Sequence, residues 1–479
     1  MADTKQAPFE ATWESLRTFE CPAWYRDAKF GIWAHWGPQS VPRYGDWYAR
    51  NMYVEGSDQY RYHWRVYGHP SRVGYKDIIA QWRAEAFDPD ALMELYVAAG
   101  ARYFVAQAAH HDNFHNWNSR YHRWNAVNMG PKKDIVGLWR KAALERGLRF
   151  GVSEHLGAAF TWSRPNKGAD RTGPYAGIPY DGNDPAFEDL YLPTQGEPCT
   201  DREVQPWYTS NLQWHAQWRL YLEDLIDQYQ PDLLYTDGGV PFDAVGLQVI
   251  ARLYNTSARI HGGINQAVYT QKDRDPAVSP VGVIDIERSQ FSEVQDRPWQ
   301  TDTCLGNWFY DVRVRYKTAK HVLEILVDVV SKNGNLLLNV PQRPDGTLDE
   351  ECEAILREMA EWFAVNGEGI YGTRPWIVSG EGPSHVIIDH FREDPVAWTS
   401  KDFRFTQKKD VLYVFLMQWP DDGHAEVHSL GFQAGRVREV QVLGIPGSQR
   451  FLQQSHMLTV TLPPVPPTKY LQCLRVNLG

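Results

Sequence analysis

Along the first three quarters of the chain, short apolar runs end repeatedly in side chains that titrate or hydrogen-bond. Phe30–Ala34 leads to His35-Trp36-Gly37, and Tyr103–Ala108 to His110, His111 and Asp112. Arg149–Ser153 leads to Glu154-His155, and Leu233–Thr236 to Asp237-Gly238-Gly239. Arg259–Gly262 is followed by Asn265, Val281–Ile286 by Glu287-Arg288, and Asn335–Leu338 by Asn339. Loops are polar in general, so any one of these is ordinary. The set is not. Random loops supply Ser, Gly, Lys and Asp rather than four histidines with several carboxylates and a tryptophan. Polar groups converging in this way mark a catalytic pocket.

The residue types narrow the chemistry. There is no Walker sequence and no Gly-rich fingerprint after the first apolar run, so no phosphate cradle. No Gly-x-Ser-x-Gly elbow exists for a serine nucleophile. His110, His111 and Asp112 suggest a metal, but adjacent side chains on a strand point to opposite faces and suit one ion poorly. Two carboxylates with aromatic platforms remain, which is the arrangement of a glycosidase. Asp237 is the candidate nucleophile, since it closes an apolar run and two glycines leave its carboxylate unobstructed. The same Asp-Gly pair is also an ordinary turn or helix-capping sequence.

These residues need a scaffold that gathers strand ends. Between the apolar runs lie helical stretches: Pro89–Ala99, Asp134–Arg146, Leu212–Gln228, Phe242–Tyr254, Thr318–Ser331 and Leu348–Val365. Asp88-Pro89 caps the first, and Gly100 ends it. Strand and helix alternating at this spacing make right-handed βα units, and seven or eight of them predict an α/β fold of the (β/α)8-barrel type. Its active-site face is where the strands' carboxyl ends open. The texture changes near residue 376. Val411–Met417, Val437–Val442, Met457–Leu462 and Tyr470–Val476 are short strand-like runs separated by turn residues. A barrel domain over 1–375 and a small antiparallel β-sandwich over 376–479 are therefore expected. The Pro-, Gly- and Asp-rich stretch from Ser163 to Val204 reads as a long functional loop.

Composition bounds the partners. The formal charge of −10 gives no basic footprint for nucleic acid. No run approaches the ~20 apolar residues of a membrane span. The first residues, Met1-Ala2-Asp3-Thr4-Lys5-Gln6, lack the apolar core of a signal peptide. The five cysteines are scattered and odd in number, with neither zinc nor disulfide spacing. A cytoplasmic protein with reduced thiols is expected. No apolar stripe on the helices specifies an oligomeric state.

The blocks of the barrel half resemble the α-L-fucosidases of glycoside hydrolase family 29. The resemblance runs through Trp24-Tyr25-Arg26-Asp27-Ala28-Lys29-Phe30-Gly31-Ile32-Trp33, His35-Trp36-Gly37 and Trp47-Tyr48-Ala49-Arg50-Asn51-Met52-Tyr53. It continues through Lys76-Asp77, Phe87-Asp88-Pro89, Ala98–Tyr103, His110-His111-Asp112, Pro231–Gly238 and Arg297–Thr303, to Val330–Val340 and Pro344-Asp345-Gly346. It implies retaining, exo-acting hydrolysis of terminal α-L-fucosides through a covalent fucosyl-enzyme, with no cofactor and no metal. The substrate would be a fucosylated oligosaccharide or glycoconjugate. By resemblance Asp237 is the nucleophile and Glu287 the acid/base, with Glu293 its rival. Sugar contacts carry over to His35, Trp47, His110 and His111, one of the two adjacent histidines facing the sugar and the other the barrel wall. Trp299 is the candidate ring platform.

Three departures bear on specificity. Tyr235 stands where many relatives have Trp, Asn265-Gln266 where many have Arg, and Glu154-His155 where an aromatic ending is usual. Tyr235 keeps an aromatic face, and Arg288 becomes the candidate for the missing polar contact. An α-L-galactosidase, whose sugar differs by one added hydroxyl, and a non-catalytic fucose-binding barrel are the alternative readings. The 20 tryptophans carry an expectation too. Trp33, Trp36, Trp47, Trp64, Trp117, Trp124, Trp162, Trp299 and Trp308 should mostly line or border one mouth, because flat rings bind flat sugar faces.

Overall fold

The computed structural model describes residues 8–194, 204–389 and 391–479. Eight parallel strands close into a barrel in sequence order, with β1 hydrogen-bonded to β8. They are β1 Phe30–Ala34, β2 Tyr103–Ala109, β3 Arg149–Glu154, β4 Leu233–Thr236, β5 Val268–Gln271, β6 Val283–Asp285, β7 Trp299–Cys304 and β8 Gly334–Asn339. Almost every strand residue is buried, as a sheet covered on both faces requires. Gly31 is needed for that packing: a Cβ there would lie 2.4 Å from the Tyr103 ring.

The helices follow the expected caps. Asp88 accepts from the backbone of Asp90 and Ala91 to start Pro89–Ala98, and Asn211 accepts from Gln213 and Trp214 to start Leu212–Tyr229. Ile135–Glu145, Ala319–Ser331 and Glu350–Asn366 form near their predicted places. The stretch after Ser163 is built of short turns of helix up to Tyr191, and its residues 195–203 lie outside the described residues.

Two strands were misplaced. The predicted strand Arg259–Gly262 is the end of a helix, Ala244–Ile260, and the turn after it. The helix runs past Tyr254 because Leu253, Tyr254 and Ser257 continue its buried face. The fifth strand is β5, further on. The second misplacement is β7, which reads as a loop because Gln300, Thr301, Asp302 and Thr303 are polar. All four are buried, and the alternate residues Gln300 and Asp302 find partners inside the barrel. Gln300 accepts from the hydroxyls of Tyr25 at 2.9 Å and Tyr103 at 3.0 Å, and donates to Asp285 at 2.8 Å.

The outer ring of helices is incomplete. Among the described residues no α-helix separates β5 from β6 or β6 from β7. A second domain packs against the helix Ala319–Ser331 on that side. It is a sandwich. Its five-stranded antiparallel sheet has the order β13-β16-β11-β10-β9: β9 Arg374–Glu381, β10 Phe403–Lys408, β11 Val411–Leu416, β13 Val437–Val442 and β16 Gln472–Leu478. Its three-stranded sheet is β12 His424–Val427, β15 Leu458–Thr461 and β14 Phe451–Gln453. Phe405, Val414, Val440, Val460 and Leu474 fill the space between.

The two domains are joined by a buried ion cluster. Asp328 of the helix accepts from Lys332 at 2.6 Å and from the Arg404 guanidinium of β10. Burial alone would raise the Asp328 pKa, but the two cations hold it below the usual carboxylate range. Asp328→Ala leaves both cations buried without their partner. A loss of about 3–5 kcal/mol in urea unfolding is expected; a loss under ~1 kcal/mol would show that the cluster is not what joins the domains.

Candidate active site

The carboxyl ends of the strands enclose a cavity of about 570 Å³. His35, Trp47, His110, His111, Tyr235, Asp237, Glu287 and Arg288 all line it. Six further lining residues were not foreseen in that role: Asp46, Trp207, Gly238, Lys272, Asp302 and Phe391. Trp33, His155 and Trp308 complete it.

Lys272 sits at the centre. It follows β5, so the misplaced strand hid it. Its ammonium donates to Asp237 Oδ1 at 2.7 Å and to Glu287 Oε2. The two facing carboxylate oxygens therefore lie within two hydrogen-bond lengths, at most ~6 Å. Burial would raise the Asp237 pKa, but the Lys272 ammonium and His111 overcome it and hold the group well below the usual carboxylate range. Burial would lower Lys272, but Asp237 and Glu287 keep its pKa well above normal. Beneath them lie Asp285, which accepts from Gln300 at 2.8 Å, and Asp302, which accepts from the Tyr235 hydroxyl at 3.0 Å. Burial, then the charge of Asp285, pushes Asp302 far above the usual range, while burial brings Asp285 to about 6. One ammonium cannot neutralise four carboxylates in a low-dielectric site, so this deeper pair shares a proton.

Asp237 is presented on a sharp turn. Gly238 has φ +113, and a Cβ there would lie 2.4 Å from the Tyr208 hydroxyl. Trp207 donates to the Asp237 carbonyl at 3.1 Å, and Tyr208 to that of Gly239 at 2.9 Å. On the other flank, His111 Nε2 lies 3.3 Å from Asp237 Oδ2. Its Nδ1 donates to the His155 carbonyl at 2.6 Å.

Both adjacent histidines face the cavity, contrary to the alternation expected of a strand. The reason is that β2 ends at Ala109, after a register shift between Gln107 and Ala109, so strand alternation no longer applies. Their rings stand 4.6 Å apart. Gln39 donates to His110 Nδ1 at 3.0 Å, which leaves the proton of neutral His110 on Nε2, 3.7 Å from Asp46. Burial keeps His35 and His110 far below the ordinary imidazole pKa and takes His155 to about 3. These three are neutral and can donate to one hydroxyl and accept from another. Their ring nitrogens lie within 4.8 Å of one another, close enough to hold a metal ion or to bond adjacent hydroxyls. Asp112, the third member of the sequence cluster, is instead engaged by Tyr75. Burial pushes Asp46 up to about 7.

Two expectations fail here, and the rival acid/base lies outside the cavity. Trp299 is no platform: it opens β7 at the far end of the barrel, 1% exposed, donating to the Lys332 carbonyl at 2.9 Å and packed edge-on against Phe291. Glu293 lies in a separate groove beside Ser292 and Ser384. The tryptophans do not gather at one mouth. Of the nine, only Trp33, Trp47 and Trp308 line the cavity, with Trp162 behind Trp47 and His111. Trp36 packs on Trp82 and Phe87, Trp117 on His115 and Trp64 beside His69; Trp124 donates to Asp189. Trp36, Trp117 and Trp124 are buried within the long loops, while Trp64 is partly exposed. Asn265 is not among the residues lining the cavity; it exchanges hydrogen bonds with Ala267 just before β5.

The α-L-fucosidase family pattern matches residues 1–368, and that of the α-L-fucosidase C-terminal domain residues 397–476. The chain belongs to the α-L-fucosidase family. Rat tissue α-L-fucosidase is 27% identical over 468 residues, 95% of this chain and 88% of that one. Human plasma α-L-fucosidase is 30% identical over 438 residues, 87% and 80% of the two chains. The Thermotoga maritima α-fucosidase structure in complex with fucose aligns with a TM-score of 0.76 at 25% identity, over 98% of this chain and 100% of that one. The barrel followed by a β-sandwich is thus the family's architecture.

The lysine bridge has a measurable consequence. Removing the ammonium in Lys272→Met raises the Asp237 pKa. The acidic limb of the kcat/KM profile should then move to higher pH, with a fall of about 10²- to 10³-fold at the optimum. A profile with an unmoved acidic limb would detach Lys272 from Asp237.

Proposed function

We propose that this fucosidase is a retaining, exo-acting α-L-fucosidase in which Asp237 is the nucleophile and Glu287 the acid/base. The observation that carries this reading is the ammonium of Lys272 reaching both carboxylates at once. That spacing favours the roughly 5–5.5 Å of a retaining pair over the ~6.5–9.5 Å that an inverting pair needs to admit water. A cavity closed at its base by the barrel suits a terminal sugar.

In the first step an Asp237 oxygen attacks C1 as the C1–O bond to the leaving group breaks, and Glu287 gives its proton to the departing oxygen. In the second, Glu287 takes a proton from water, the water oxygen bonds to C1, and the ester to Asp237 breaks. Two inversions give retention. Lys272 links the steps. Once Asp237 has spent its charge in the ester, the ammonium faces Glu287 alone and favours the carboxylate that serves as base. The neutral imidazoles of His35, His110 and His155, with Asp46, supply donors and acceptors for the hydroxyls. The sugar's methyl group requires an apolar wall, and Trp33, Tyr235 and Trp308 offer one, their rings within 4.7 and 5.6 Å of each other.

Two variants test the roles. Asp237→Gly should lose at least ~10⁴-fold of kcat on an aryl fucoside and regain turnover with azide, giving the β-fucosyl azide. Absence of rescue would remove Asp237 from the role. Glu287→Ala should retain most activity on a fucoside with a good leaving group and lose about 10²- to 10⁴-fold on one with a poor leaving group. Equal losses on both would reject the acid role.

A further inference from the structure

Among the described residues, Phe391 is the one cavity-lining residue that comes from the second domain. It lies on the connection between β9 and β10 and is 46% exposed beside the mouth. The base of this connection is tied by Asp402, which accepts from the Ser384 backbone at 2.8 Å and the Thr399 backbone at 2.7 Å. Its outer part is tied to the barrel by Glu393. That carboxylate is buried, 3.0 Å from Arg288 Nε and 3.1 Å from Lys317 Nζ. Lys317 in turn donates to the Cys304 carbonyl at the end of β7, at 2.7 Å. Arg288 directly follows Glu287, and its backbone donates to the Asp302 carbonyl at 2.9 Å. The second domain is therefore fastened to the very loop that carries Glu287.

We infer that Phe391 is a specificity-determining residue that forms the leaving-group wall of the pocket, with Glu393 as its positioning residue. The inference rests on the roles proposed above for Asp237 and Glu287. An acid must stand beside the oxygen it protonates, so the leaving group lies on the Glu287 side. Phe391 borders that side through the Glu393–Arg288 pair. An aromatic ring half open to solvent at a pocket rim gains by covering the flat face of a bound group. The occupant is the aglycone, a sugar or aromatic ring, rather than the fucose, which meets the histidines below.

The test compares two substrates. α-L-Fucosyl fluoride has no aglycone ring; 4-methylumbelliferyl α-L-fucoside has a flat one. Phe391→Ala should leave kcat/KM for the fluoride within about 2-fold of wild type and lower it about 5- to 20-fold for the umbelliferyl fucoside, chiefly through KM. Phe391→Tyr should restore it. Glu393→Ala should reproduce the KM effect with kcat on the fluoride preserved. Equal losses on both substrates, or no change on either, would overturn the inference. Wild-type protein inert toward the fluoride would instead sink the underlying reading, and that is seen before any variant is made.

Discussion

A single ammonium orders the chemistry of this site. Lys272 lies between Asp237 and Glu287, and below them sit two further buried carboxyl groups, Asp285 and Asp302. Four acidic groups this close cannot all be ionised in a buried site. The arrangement sorts them. The cation keeps Asp237 charged, while burial keeps a proton on the deeper pair. Tyr235 donates to Asp302 at 3.0 Å and so couples the aromatic wall to the same cluster. The catalytic groups thereby differ in environment more than in kind, which is how two carboxylates come to hold separate roles.

The barrel makes that sorting possible. Asp237, Lys272 and Glu287 follow β4, β5 and β6, three neighbours in the closed sheet. Their Cα positions are fixed by parallel pairing rather than by loop conformation. The cost falls on the strands. β7 carries four consecutive buried polar residues: Gln300 and Asp302 accept from tyrosine hydroxyls inside the barrel, while Thr301 on the other face donates to backbone carbonyls. The second domain packs against Ala319–Ser331, the helix that follows β7. That docking brings a sandwich loop to the rim of the site.

Much of this was legible in the sequence, for a physical reason. Apolar runs such as Phe30–Ala34 and Leu233–Thr236 are buried on both faces, so composition marks them, and the first polar residue beyond each is near the mouth. His35, His110, His111, Asp237 and Glu287 were found this way or by resemblance. Lys272 was not, because Val-Tyr-Thr-Gln of β5 is too short and too polar to stand out. The apolar end of the preceding helix drew attention to the wrong place. β7 escaped for the same reason, which made Trp299 look like a loop residue when it is packed at the barrel's far end. Asp46 stood next to Trp47 and could have been noticed as a carboxylate beside a candidate sugar contact. Phe391 had no local signal, since its place depends on the docking of two domains more than a hundred residues from Glu287. The surplus of tryptophan was a weaker guide than it looked, because large loops need cores of their own.

The central claim is that Asp237 is the ionised nucleophile and that Lys272 keeps it so. Treatment with 2-deoxy-2-fluoro-α-L-fucosyl fluoride, followed by peptide mass mapping, tests it most directly. The fluorosugar should be found on Asp237, and in Lys272→Met the same residue should be labelled more slowly, with the deficit growing toward acid pH. Label on any other carboxylate, or labelling of Asp237 at the same rate and pH dependence in both proteins, would contradict it.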